Sequence, residues 1–487
     1  MKLKLIAVNE IKVKHPIGIK STTDIEYARI ATEVLNEIAK EKVHDISAEG
    51  LRKIAINVTM YFEDVVADAG IWRAFTDKMK EMYGRTLPFY DVDEATYYPD
   101  EPNLNDVRLL VWYTMLEVHH GKIGNPENPI LDRIAERAYS VLDKHFETVG
   151  VNEELKNYFA KADFANDFYE QRNFLIWLVY SCYLTYNPYI KEQIYDEAQK
   201  LTAEIGVDFG HAYYVVECQM PYTTLIGPLE LKPQEWAEAI LRANGKKKVG
   251  KSIGCQQHMP YSGYKVVEAK EGESLTLMST DEETFTVSSY CLNNPVEEAY
   301  KAEGVIGCFV KYCGEWNLNG DMSNIKDMAY FNELHEEYLN SKRLKPIYKK
   351  LKKDTSVYYF AGSNEMKNFI LENLPIEEEA KKNLSIPEEH KNIVLYVPDD
   401  YKSELEIYPD GALCIRDERN PYYNAKWAKN QSVNFILSIA NPEFRRYLVS
   451  HNMLPDATIN SSKGVERGNE IVQQNFDFIV RAVSTRL

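Results

Sequence analysis

Apolar positions recur at helical spacing along most of the first half of the chain. Ile25, Ile30, Val34, Leu35 and Ile38 fall on one face, after Ser21-Thr22-Thr23-Asp24, which offers N-cap oxygens. Ser47 is the expected N-cap of a second, longer helix whose face carries Leu51, Ile54, Ala55, Val58, Tyr61, Phe62, Val65 and Val66 and which stops near Gly70. Gly50 stands three residues after Ser47, so no reciprocal capping box forms there. The same spacing predicts helices over 72–83, 104–118, 130–145, 153–162, 173–186, 190–205 and 233–243. Short loops between them fit a bundle, and no repeat period is found. Residues 1–20, where Lys2, Lys4, Lys12 and Lys14 are set among apolar residues, read as one or two short strands.

The period changes to two after residue 262. Leu275 and Leu277 flank Thr276, and Thr284 to Val287 alternate in the same way. The polar run from Ser279 to Glu283 suits a hairpin connection between them. A third run spans Val305 to Cys313 and continues through Gly314-Glu315-Trp316-Asn317-Leu318-Asn319-Gly320. Several short strands so close together predict a small antiparallel β-barrel. The expected fold class is therefore α+β and multidomain. A helical domain covers 1–245, the barrel 246–322, a connecting helix 323–350 and an α+β domain 351–487. In the last, Val357–Ala361 and Ile393–Val397 read as strands, and Glu404–Tyr408 and Ala412–Arg416 are joined by the turn Pro409-Asp410-Gly411. Helices are expected over 364–374, 425–440, 442–450 and 464–483.

Composition narrows the class. At 487 residues the chain exceeds one ordinary hydrophobic core. Seven cysteines, an odd number scattered through a long chain, point to reduced thiols in a cytoplasm. The apolar run near Met1 is too short for a signal segment, and no stretch is long and apolar enough for a membrane span. A net charge of −17 argues against nucleic acid or anionic lipid as the main partner.

Four features bear on chemistry. Gly245-Lys246-Lys247-Lys248-Val249-Gly250-Lys251-Ser252 satisfies the phosphate-loop pattern, but a helix precedes it where a strand is needed, and Ile253-Gly254-Cys255 before Pro260 opposes a following helix. The expected structure is a Gly-capped helix end and a basic loop, with Lys247, Lys248 and Lys251 as candidate anion contacts. Glu117 and His120 have the spacing of a Glu-x-x-His metal pair, repeated at Glu41 and His44, and Glu63 lies on a helix between them. The candidate metal set is thus Glu117, His120 and Glu63, although both histidines also suit helix C-termini. Cys308 and Cys313 point to opposite faces if they share a strand, and no second pair completes a zinc tetrad. His258 is the local partner for a reactive cysteine at Cys255. Finally, 34 tyrosines suit packing or an interface.

The run Tyr264-Lys265-Val266-Val267, Gly272-Glu273-Ser274-Leu275-Thr276-Leu277 and Gly314 to Gly320 resembles a segment of uncharacterised bacterial cytoplasmic proteins. With Gly468-Asn469-Glu470 near the last helix, the whole chain is similar to a family known only as a domain of unknown function. The resemblance implies a fold type and a compartment, and no activity. No complete catalytic constellation is left, so the expected function is a non-enzymatic binding or scaffold role with no cofactor and with a protein partner or a second copy. The alternatives are a transition-metal enzyme using Glu117, His120 and Glu63, and phosphate or nucleic-acid contact through Lys246–Lys251.

Overall fold

The computed structural model describes residues 5–41 except 20, 46–118, 126–292 and 299–325. Beyond these it describes 328–329, 331–332, 335, 357–362, 368, 391–396, 404–407, 413–416, 474–475, 478–479, 481–482 and 485–486. His44 and His120, and most residues of the helices expected after 323, fall outside them.

The helical body contains α1 (Val8–Lys12), α2 (Asp24–Ile38), α3 (Ala48–Ala67), α4 (Ile71–Tyr83), α5 (Leu104–Val118) and α6 (Pro129–Phe146). It continues with α7 (Glu153–Lys161), α8 (Phe168–Tyr180), α9 (Ile190–Ile205), α10 (Phe209–Thr223), α11 (Pro233–Ala243) and α12 (Lys247–Gly254). Capping follows the expected chemistry: Ser47 Oγ accepts from Gly50 N at 3.0 Å and opens α3. Asp64, near the end of that helix, then accepts from the amides of Ile71 and Trp72 at 3.0 and 2.7 Å and so caps α4. One hydrophobic core runs through the body, with Trp72, Trp112 and Trp236 fully buried in it.

Two expectations fail in this region. Residues 8–12 are helix rather than strand, because Glu10 Oε2 accepts from Ala7 N at 2.8 Å and Arg52 of α3 holds the same carboxylate. Residues 247–254 are helix rather than basic loop. Gly245, at φ +74°, does end the segment after α11, with its N–H donating to Arg242 O at 3.0 Å. The chain then re-enters a helix at Lys247, inside the phosphate-loop pattern. Gly250 is there because α12 packs closely on α11: a Cβ would lie 2.9 Å from the Glu238 carbonyl oxygen.

Five strands follow: β1 (His258–Lys270), β2 (Ser274–Met278), β3 (Thr284–Ser288), β4 (Gly304–Tyr312) and β5 (Glu315–Ile325). They pair antiparallel in the order β3-β2-β1-β4-β5. The sheet is open, which corrects the expected barrel. Its two outermost strands approach through Phe285 and Trp316, whose ring centroids are 4.9 Å apart, but β3 and β5 do not pair. β1 is central because it is long enough to pair twice, His258–Lys265 with β4 and Lys265–Lys270 with β2. Its register slips between Met259 and Ser262, around Pro260, which has no N–H to give the ladder. β5 runs to Ile325, past the expected start of a connecting helix at 323. A second core of Tyr264, Leu275, Leu277, Phe285, Val287 and Phe309 fills the concave face. Farther on, β6 (Val357–Gly362) pairs with β7 (Lys391–Tyr396), and β8 (Glu404–Ile407) with β9 (Leu413–Arg416).

The chain returns to the helical body at its far end. Phe478 packs on Phe89 and Trp112, at centroid distances of 5.6 and 6.1 Å. Thr485 Oγ1 donates to Gly227 O at 3.0 Å, and Phe89 N donates to Asn475 Oδ1 at 3.0 Å.

Candidate functional site

The structure divides the sequence-predicted metal residues between two networks. Glu63, on α3, is fully buried, with His15 Nε2 at 2.7 Å from one carboxylate oxygen and Asn152 Nδ2 donating to the other at 2.7 Å. Asp24 Oδ1 lies 3.6 Å from the other ring nitrogen of His15. Among the described residues, His15, Asp24 and Glu63 form the one group of ligand-type side chains close enough to share a cation. Both ring nitrogens face a carboxylate, however, on opposite edges of the ring, and a metal needs a neutral imidazole with one nitrogen open to it. The cation that fits is the ring proton. Burial pushes the His15 pKa down, but the Glu63 hydrogen bond and charge, followed by Asp24, prevail and raise it. The three side chains act as an ionic clasp that holds the segment after α1 to α2 and α3. Sequence spacing does not reveal it, because each member comes from a different segment.

Glu117, on α5, is gripped by cations. Lys53 Nζ donates at 2.6 Å, Arg486 Nη1 at 3.4 Å, and the Tyr186 hydroxyl completes the shell. Burial raises its pKa, and Arg486, Lys53 and Tyr186 together bring it below the usual carboxylate range. Arg486 is 1% exposed, with its guanidinium carbon 4.2 Å from the Tyr113 ring centroid and 4.4 Å from that of Tyr186. A carboxylate so occupied anchors the end of the chain. Lys247, Lys248 and Lys251 stand exposed on α12, away from both networks.

A concave feature among the described residues lies elsewhere, where the helical body meets the sheet. A cleft of about 950 Å³ has one wall from the end of α10 and the start of α11, and the other from β1, the β2–β3 turn and Trp316 of β5. This is at the upper end of the roughly 300–1,000 Å³ usual for small-molecule sites. The irregular start of β1 places His258 in the wall, stacked on Tyr222 with centroids 5.3 Å apart and rings 5° from parallel. His258 Nε2 lies 3.2 Å from Cys308 Sγ, fifty positions away in sequence. Asn319 Nδ2 approaches the same sulfur at 3.5 Å and donates to the Cys218 carbonyl at 2.8 Å, while Arg172 Nη1 donates to Asn319 Oδ1 at 3.2 Å.

Cysteine, histidine and asparagine are the residue types of a thiol hydrolase, but the physics here differs. Cys308 is fully buried, and burial drives its thiol pKa far up, so the thiolate that such chemistry needs is suppressed. Cys313 sits exposed in the turn after β4, so the two cysteines do not share a strand and strand alternation does not bear on them. What the cleft offers instead is a polar lining, with unpartnered buried atoms on three of its residues. Tyr222 OH, Gln234 Oε1 and Gln256 Oε1 are buried atoms without a hydrogen-bond partner, and all three residues line the cleft.

No curated protein and no solved structure matches the chain. A family model described as a protein of unknown function, DUF3843, matches residues 9–252 and 321–484. The first matched segment ends in α12 and the second resumes inside β5, so the helical body and the late residues Asn475 and Phe478 are included, while Thr485 and Arg486 fall just past the match. Residues 253–320, which supply β1 to β4, lie outside the match. On that coverage the chain belongs to the DUF3843 family of proteins of unknown function.

Proposed function

We propose that the protein is a binding protein whose ligand, a small polar molecule, occupies the cleft between α10–α11 and the sheet. The observation that carries this reading is the cleft itself, about 950 Å³ between the helical body and the sheet and lined by polar side chains together with Trp316. The suppressed Cys308 thiol supports binding over catalysis. Free thiols at six cysteines among the described residues support a reducing compartment, and among those residues no helix is long and apolar enough to cross a membrane.

The test is a thermal-shift screen of the full chain against a polar metabolite library. A ligand present at 100 times its Kd is expected to stabilise the fold by about 2.7 kcal/mol. The shift should shrink in Trp316→Ala and Gln257→Leu. A library that moves nothing, or a shift equal in all three proteins, sinks the reading.

A further inference from the structure

We infer that a phosphate group, free or carried by a small molecule, binds at the solvent side of the Glu117 network, on the ammonium of Lys14.

The network holds more positive charge than it uses. Lys14, Lys53 and Arg486 gather about a single carboxylate, Glu117, which leaves an excess of two positive charges in a chain of net charge −17. Lys53 and Arg486 are paired with that carboxylate. Lys14 is not. Its Nζ sits 4.1 Å from the centroid of the Tyr186 ring, which also carries the Arg486 guanidinium at 4.4 Å. Among the described residues Lys14 Nζ has neither a hydrogen-bond acceptor nor an ion-pair partner.

The position is open to solvent and held in place. Lys14 is half-buried, and its nitrogen is not one of the unpartnered side-chain atoms that are sealed from solvent. Beside it, Tyr189 is half-buried and the Lys53 side chain is 39% exposed, so the cluster reaches the surface. Trp177 Nε1 donates to the Lys14 carbonyl at 2.8 Å, and the next residue, His15, is gripped by Glu63 and Asp24. The backbone from which Lys14 projects is therefore fixed on both sides.

A half-buried ammonium with no acceptor, next to two like charges, gains from an anion that joins it. Burial lowers the Lys14 pKa to about 8, against the attraction of Glu117 and Cys182, and Arg486 and Lys53 push it the same way as burial. Phosphate matches this arrangement because its two charges share one compact group, as the excess cations share one ring. A dicarboxylate spreads its charges apart, and a single carboxylate leaves one cation over. Lys247, Lys248 and Lys251 make the contrast, since they stand exposed on α12 where ordinary hydration suffices.

The test uses the full chain. Inorganic phosphate, phenyl phosphate and succinate are titrated against chloride at constant ionic strength and read by thermal shift and calorimetry. Phosphate is expected to raise the unfolding midpoint saturably at about pH 7.5 and to bind about five- to tenfold more weakly at about pH 9, because Lys14 loses its proton through about pH 8. Tighter binding of phenyl phosphate assigns the site to a phosphorylated small molecule, and equal or weaker binding assigns it to free phosphate; both support the inference. Lys14→Met is expected to weaken binding about tenfold or more while raising the unfolding midpoint of the free protein, because it removes an unpaired charge. A merely structural lysine would not give that opposed pair of effects. Lys247→Met should leave both unchanged.

If the Lys14 variant does not fold, the native chain serves. Phosphate at about ten times its Kd should slow acylation of Lys14 about tenfold, read by peptide mass spectrometry, and leave exposed Lys12 unaffected. Phosphate that does not bind overturns the inference, as does succinate bound as tightly as phosphate. Binding that is lost in Lys247→Met, or acylation of Lys14 that phosphate does not slow, overturns it equally.

Discussion

The helical body and the sheet are stabilised by different means. The body buries five carboxylates, Asp24, Glu63, Asp64, Asp106 and Glu117, and surrounds them with histidine, arginine, tyrosine hydroxyls and backbone amides. Among the described residues of the sheet no carboxylate is buried. Its core rests on Tyr264, Phe285 and Phe309, with centroids 5.3–5.5 Å apart and edges turned to faces. Buried polar networks tie a fold to one geometry at a cost in desolvation, whereas an apolar core tolerates repacking as long as its volume is kept. The family match follows the same division, covering the body and passing over β1 to β4. A cleft with one wall of each kind pairs a fixed frame with a wall that is free to vary.

The strongest challenge to this contrast is Phe309→Ala, expected to destabilise the sheet by about 3–5 kcal/mol. If the two cores unfold as separate units, Trp316 fluorescence is lost at lower urea than the far-UV helical signal. Coincident loss of both signals would merge the regions into one cooperative unit. Arg486→Ala should cost the body about 3 kcal/mol by leaving Glu117 buried with weaker pairing, and a second substitution, Glu117→Gln, should recover part of that in a double-mutant cycle. The sheet signal should not move.

The smallest effect per step is in pH. Burial pushes the Asp106 carboxyl up to about 7, against the hydroxyls of Tyr61 and Tyr97, which accompany it at 2.8 and 3.1 Å. Burial likewise raises Asp64 to about 6, against the amides of Trp72 and Ile71. A folded pKa above the unfolded value gives stability that is complete below the unfolded pKa, near 4, and is lost as pH rises through 6 and 7. The body should therefore be less stable at about pH 8 than at about pH 5, with a slope of at most about 1.4 kcal/mol per pH unit per group. Asp106→Asn should flatten that slope, and the sheet transition should show none. A sheet that titrates in the same way would erase the distinction.

Three helices were legible in the sequence to their ends: α5, α9 and α11 begin and end where periodicity places them. α10 was not, since Gly210 and Pro221 stand in a segment whose apolar residues contact both the body and the sheet. α12 was hidden by its two glycines, one of which exists to let α11 approach. Strand alternation was visible, but closure was not, because it depends on whether β3 and β5 pair, and no local pattern encodes that. The same holds for the site. The lining of the cleft carries no motif, because its residues come from α10, α11, the link after α12 and the sheet and meet only in three dimensions. His258 was noticed beside Cys255, while its actual neighbour, Cys308, is fifty positions away.

The late residues that dock on the body also constrain how it is made. Arg85 donates to the Gln474 carbonyl at 2.6 Å across 389 positions of chain, and Arg486 reaches Glu117 across 369. During synthesis, α3 to α6 emerge with the seat of Phe478 empty and Glu117 lacking one of its cations. The sheet, whose pairings lie within 258–325, has all its strands long before that seat is filled. A ribosome that stalls between them releases a chain with a formed sheet and an open aromatic socket at Phe89 and Trp112, the kind of surface that chaperones and proteases recognise. The late segment thereby closes a socket that every shorter chain leaves open.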